Sequence, residues 1–155
     1  MGLDVGHVQF TADGLIIGLA RSKTDQEGRG RQIGIPFGST PLTCPVRAVK
    51  RWLEAANITE GPVLRGVGRW GHVQPERLDA KAVARVVQKC TGLIGLDSRA
   101  FAAHSLRAGM ATSAARAGKS ERSIMDQTGH RSTTMVRKYI RAGSLFTENA
   151  AAGLL

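Results

Sequence analysis

The chain opens with loose alternation of apolar and polar positions and later changes to a helical period. HVQFT (7–11) and LIIGLA (15–20) alternate around the turn-forming Ala12-Asp13-Gly14, which predicts an antiparallel β-hairpin. A charged stretch, RSKTDQEGRGR, separates this pair from QIGIPF (32–37), a third strand. The simplest arrangement is a three-stranded antiparallel sheet whose second loop is long and basic. From Thr43 onward the apolar positions recur every three or four residues. Thr43 and Pro45 open a helix, with proline in its first turn, and Val46, Val49, Trp52, Leu53 and Ala56 form its buried stripe as far as Asn57. On this reading Trp52 is core. Gly61 to Pro75 is rich in glycine and proline and reads as loop, with at most a short strand at PVLRG. Trp70 and His72 within it are given no role.

Asp79 caps the next helix, which carries Ala80, Val83, Val87, Cys90 and Ile94 on one face, and Gly92 and Gly95 loosen its end. His104 is expected in a loop before a helix capped by Ser105, placing Arg107 in the first turn and Leu106, Met110 and Ala114 on the anchoring side. Gly118 stops that helix, and Ser120 starts a short one bearing Ile124 and Met125. Gly129 ends it and leaves His130 and Arg131 in a turn. Ser132 or Thr133 then caps a helix with Met135, Val136, Tyr139 and Ile140 on one face. After Gly143, LFTENAAAGLL reads as a short apolar tail helix. The expected class is α+β, a mainly helical single domain over 1–155 with a small three-stranded antiparallel sheet at its N-terminal end.

Composition narrows the partners. With 155 residues, 42% hydrophobic, the chain can bury a sizeable core. A net charge of +10 makes an anionic partner the first expectation, and for a soluble protein that means nucleic acid. The longest apolar run, GLIIGLA, falls far short of the roughly 18 residues a membrane helix needs. Nothing at the start reads as a signal peptide. Two sparse cysteines, Cys44 and Cys90, fit a reducing cytoplasm better than a disulfide scaffold, and no CxxC or HxxxH spacing suggests zinc. No cofactor is expected.

Candidate chemistry concentrates between His104 and Tyr139. This stretch of 36 residues holds His104-x-x-Arg107, then Gly129-His130, then the single tyrosine of the chain nine residues later. A phosphodiester gains charge on its non-bridging oxygens as a fifth oxygen approaches, and fixed cations aimed there are usually the largest catalytic contribution. Arg107 suits this as a permanently charged planar fork. His104 and His130 can donate to phosphate or move a proton near neutral pH. Tyr139 can be the nucleophile, although ionising a phenol of pKa about 10 at pH 7 costs about 4 kcal/mol, which a cation or histidine base must offset. Singly, each histidine or arginine reads as a surface group, and Tyr139 reads as core. Four positions agreeing over the right intervals outweigh those readings.

The pattern resembles the C-terminal catalytic motif of the tyrosine recombinases, the phage-integrase family. The resemblance extends from the opening LDV-x-HVQF to the tail. It implies DNA strand exchange without metal or nucleotide: Tyr139 attacks a DNA phosphate, leaving a 3′-phosphotyrosyl bond and a free 5′ hydroxyl. Arg107 and His130 would hold the phosphate, and His104 would serve as acid and base. Lys23, in RSKT on the hairpin, would protonate the leaving oxygen. Arg21, Arg29, Arg31, Arg131, Arg137 and Lys138 would line the double-stranded DNA. The resemblance also implies a tail helix that docks on a neighbouring protomer, with a tetramer on DNA. Family members carry a first active-site arginine just upstream of this hairpin and a separate clamping domain. The opening MGLDVGHVQF looks like the segment after that arginine, so the chain reads as a C-terminal fragment of weak or no activity alone. Two alternatives remain open. SERSIMDQTGHRSTTMVRKYIR scans as a helix-turn-helix regulator, and a catalytically dead remnant would still bind DNA.

Overall fold

The early alternation gives β1 (Val8–Phe10) and β2 (Gly14–Leu19), joined by the expected turn, and β3 (Arg31–Pro36) completes an antiparallel sheet in the order β1-β2-β3. The computed structural model describes residues 2–19, 30–144 and 151. Within it the chain divides into two units, Met1–Leu78 and Asp79–Leu155. Its class is α+β, as the patterning predicts.

In the first unit the hairpin register pairs Val8 with Ile17, and the second pairing sets Leu15 against Ile35 and Ile17 against Ile33. Gly14 is required at the turn. Its φ is 153°, and a Cβ there would collide with the Ile35 carbonyl oxygen. Period-two alternation turns Leu15, Ile17 and Ile35 to one face, where Cys44, Val46 and Val49 pack on them. The last two lie on α1 (Pro45–Ala55), which Cys44 precedes as N-cap. Trp52 is half-buried, and its indole N–H donates to the Val63 carbonyl at 2.7 Å, so it is a structural residue as expected.

The glycine-rich stretch departs from expectation. It forms a second hairpin, β4 (Arg65–Val67) and β5 (Val73–Arg77). Gly71, at φ 81°, turns its tip, and Gly68 N–H closes on the His72 carbonyl at 2.8 Å. β5 reads VQPER, polar and interrupted by proline, which hides it from a search for alternation. A proline is tolerated because a two-stranded ribbon has unpaired positions along both strands. Arg77 ties this hairpin to the opening segment through Asp4 at 2.5 Å and the Leu3 carbonyl at 3.0 Å.

The second unit is helical: α2 (Ala80–Leu93), α3 (Ala103–Arg116), α4 (Glu121–Thr128) and α5 (Thr133–Ser144). Asp79 caps α2 by accepting from Ala82 N–H at 2.6 Å. Only Val87 of the expected α2 stripe is buried and Val83 half-buried; Ala80, Cys90 and Ile94 are exposed. Helix α3 differs from expectation in both start and phase. It begins two residues before Ser105, whose hydroxyl accepts from Ala102 N–H at 3.0 Å from inside the first turn. His104 is therefore helical, and Arg107 lies beyond the first turn. Leu106 and Met110 are exposed, and Ala111 and Ala115 face the core instead. Ser120 and Gly129 bound α4 as expected, the latter at φ 70°.

Small residues on α3 let α5 approach closely, and the core of this unit joins Ala111, Ala115, Ile124 and Val136. Gly143, expected at the end of α5, lies inside it and is buried. A Cβ there would stand 2.5 Å from the Thr112 carbonyl oxygen and 2.9 Å from Ala115 Cβ. Gly143→Ala should therefore destabilise the chain by about 1–3 kcal/mol despite alanine's better helix propensity. Urea unfolding checks this, and an unchanged or raised midpoint would contradict the packing. Of the expected tail helix, every residue except Ala151 lies outside those described.

Candidate active site

Helix α3 presents His104 and Arg107 three residues apart, close to one helical face. His104 is exposed and Arg107 half-buried. The Arg107 guanidinium donates to the backbone carbonyl of Thr128, the last residue of α4. A helix's final carbonyls lack intrahelical partners and form its negative end, so a guanidinium satisfies both bonding and charge there. Gly129 then reverses the chain, with its N–H on the Met125 carbonyl at 2.7 Å. That reversal brings His130 back over α4.

His130 is half-buried, with Nδ1 2.6 Å from the Thr128 hydroxyl oxygen. Its ring centroid lies 5.7 Å from that of Tyr139, tilted by 47°. Tyr139 sits two turns into α5, its ring half-buried against the Ala111, Ala115, Ile124 and Val136 cluster. Among the described residues its hydroxyl makes no hydrogen bond. Burial lowers the His130 pKa, and the charges of Arg107 and His104 lower it further. The arrangement thus gathers His104, Arg107, His130 and Tyr139 around the α4–α5 turn.

The His130 shift has a measurable consequence. The unfolded ring protonates near its ordinary value, about 6.5, before the folded one does as pH falls. The stability contributed by neutral His130 is therefore complete above about 6.5 and is lost as pH drops through the folded value. His130→Gln should flatten that part of the fall in Tm between roughly neutral pH and pH 5. Equal slopes in the two chains would contradict it.

The other expected residues are placed differently. Arg137 forms a two-pronged pair with Glu121 of α4, at 2.8 and 3.3 Å, so its guanidinium is engaged within the protein. Arg131 and Lys138 are exposed, one in the turn and one on α5. Arg31 lies at the start of β3, opposite Leu19. Lys23, Arg21 and Arg29 lie outside the described residues. Thr128 carries no signal of its own in the sequence, where it is one more polar residue before a glycine. Among the described residues no group of three metal-ligating side chains occurs, and no helix is long and apolar enough to cross a membrane.

The phage integrase family model matches residues 1–144. The chain belongs to the phage integrase family. This integrase-family chain is 47% identical over 141 residues to the "Integrase/recombinase xerD homolog" of Selenomonas ruminantium. The match covers 91% of the chain and 41% of that relative, so the chain spans about two fifths of the length of the curated relative it matches.

Proposed function

We propose that the chain is the catalytic part of a site-specific recombinase acting on double-stranded DNA. The observation that carries this reading is the convergence of Arg107, His130 and Tyr139 at the α4–α5 turn. The Tyr139 oxygen attacks a phosphorus of the DNA backbone. A 3′-phosphotyrosyl bond forms, the bond to the 5′ oxygen breaks, and that oxygen takes a proton from a general acid. A 5′ hydroxyl from a partner duplex then reverses the step, and because the link conserves the phosphodiester's energy no nucleotide is consumed. Arg107 and His130 hold the phosphate, His104 moves the phenolic proton, and Lys23 is the general acid. Arg131 and Lys138, together with Arg21, Arg29 and Arg31, contact DNA phosphates, and Arg137 does so by exchanging its bond to Glu121. The relative's name, integrase/recombinase, supports the same activity. A helix-turn-helix regulator would leave His104 without a task and would give Arg107 only its bond to the Thr128 carbonyl.

A nicked suicide duplex tests the reading, because cleavage releases a short fragment and traps the covalent link. Two forms are compared: the chain itself, and the chain joined to the part of the relative outside the matched 141 residues. A covalent adduct on denaturing gels, in the joined form at least, is expected. DNA binding without adduct in both forms would sink the enzyme reading and leave only a DNA-binding protein.

Self-association through the tail belongs to the same proposal, motivated by its apolar composition. Deleting residues 145–155 should lower the sedimentation mass on DNA, and an unchanged mass would refute it.

A further inference from the structure

Among the described residues Thr128 is the one buried polar side chain, 7% exposed. It touches two of the four site residues by different atoms. Its backbone carbonyl takes the Arg107 guanidinium, and its hydroxyl oxygen lies 2.6 Å from His130 Nδ1. The same hydroxyl lies 2.6 Å from the Ile124 carbonyl, one helical turn back. We infer that Thr128 is a positioning residue that holds Arg107 and His130 at a fixed separation and dictates which ring nitrogen of His130 carries the proton.

The hydrogens available to these three groups fix the tautomer. A threonine hydroxyl has one proton and can also accept. The Ile124 carbonyl can only accept, so the hydroxyl proton goes to it. The hydroxyl oxygen then faces Nδ1 as an acceptor, and that contact is a hydrogen bond only if Nδ1 carries a hydrogen. A neutral His130 is therefore the Nδ1–H tautomer, with its lone pair on Nε2. Burial and the Arg107 charge, which favour the uncharged ring, keep this form populated at neutral pH. Thr128 thereby leaves Nε2 as the bare nitrogen of the free chain, and Nε2 donates to a phosphate oxygen once the phosphate's negative charge has drawn a second proton onto the ring. The structural half of this inference stands on the contacts; its catalytic half rests on the recombinase reading.

Nitrogen-15 NMR of the free chain separates the two halves. The chain has four histidines, and loss of one signal in His130→Gln assigns the ring. In the parent chain at about pH 7.5 the His130 pattern should be that of the Nδ1–H tautomer, retained in Thr128→Ser and shifted toward Nε2–H in Thr128→Val. An Nε2–H pattern in the parent chain would overturn the inference even if Thr128→Val failed to fold. So would an unchanged pattern in a folded Thr128→Val. In the joined form, Thr128→Val should slow adduct formation roughly ten- to a hundredfold, by misplacing working groups, with DNA affinity unchanged and Thr128→Ser restoring the rate. Equal rates would overturn the catalytic half. An absence of adduct in the parent joined form would count against the recombinase reading, while the tautomer measurement would still decide the role of Thr128.

Discussion

Tyr139→Phe is expected to reduce the covalent protein–DNA adduct to background while leaving the fold and DNA binding intact. The ring is half-buried against Ala111, Ala115, Ile124 and Val136, and phenylalanine keeps that packing. The hydroxyl makes no hydrogen bond among the described residues, so its removal leaves no described partner unsatisfied. Unfolding free energy should therefore change by no more than about 0.5 kcal/mol. Chemistry should change completely, because the atom that forms the new bond has gone. Denaturing gels and urea unfolding of the same preparation check both halves. Adduct surviving in Tyr139→Phe would transfer the nucleophile to another residue, and a collapse in stability would make Tyr139 a core residue first.

The second large effect belongs to Arg107, which serves the fold and the proposed chemistry with one side chain. One end of its fork is bound to the Thr128 carbonyl, and the guanidinium has further N–H groups to offer a phosphate. Arg107→Ala should lower the rate of adduct formation by about 10²–10³-fold, the range for losing one donor to a developing oxyanion. It should also cost about 1–3 kcal/mol of stability, since a partly buried carbonyl loses its partner. Arg107→Lys separates the two roles. An ammonium can meet the carbonyl or the phosphate but lacks the planar fork that serves both at fixed geometry. Stability should therefore recover in Arg107→Lys more than the rate does. Full recovery of the rate would show that charge alone suffices and that the fork is unnecessary.

Much of this is legible in the sequence. The first hairpin announced itself through alternation around Ala12-Asp13-Gly14, and Gly14 proved to need the conformation only glycine adopts easily. Asp79, Ser120 and Gly129 act as the caps that their residue types suggest. The intervals between His104, Arg107, His130 and Tyr139 carried the resemblance, and the helices bring those four residues together.

What stayed hidden has physical reasons. The sequence of α3, AHSLRAGMATSAAR, offers large apolar residues on one face and alanines on another. Hydrophobicity favours Leu106 and Met110, yet the close approach of α5 at Gly143 selects the alanines, and that depends on a residue far along the chain. Ser105 acts from within the helix because Ala102 N–H is the donor needing a partner, which a cap preference alone does not reveal. Arg137 reads in the sequence only as a basic residue, because its partner Glu121 stands on another helix, 16 positions back. Thr128 gives no local signal, since its partners stand on two other segments and on its own preceding turn.

The proposed chemistry makes the Tyr139 oxygen the atom that joins DNA. Trapping the adduct of the joined form on the suicide duplex, digesting both protein and DNA, and locating the residual nucleotide phosphate by mass spectrometry tests it directly. The added mass is expected on the peptide containing Tyr139 and should disappear in Tyr139→Phe. A nucleotide mapped to any other residue, or an adduct whose phosphate is attached through the 5′ side of the cut, would contradict it.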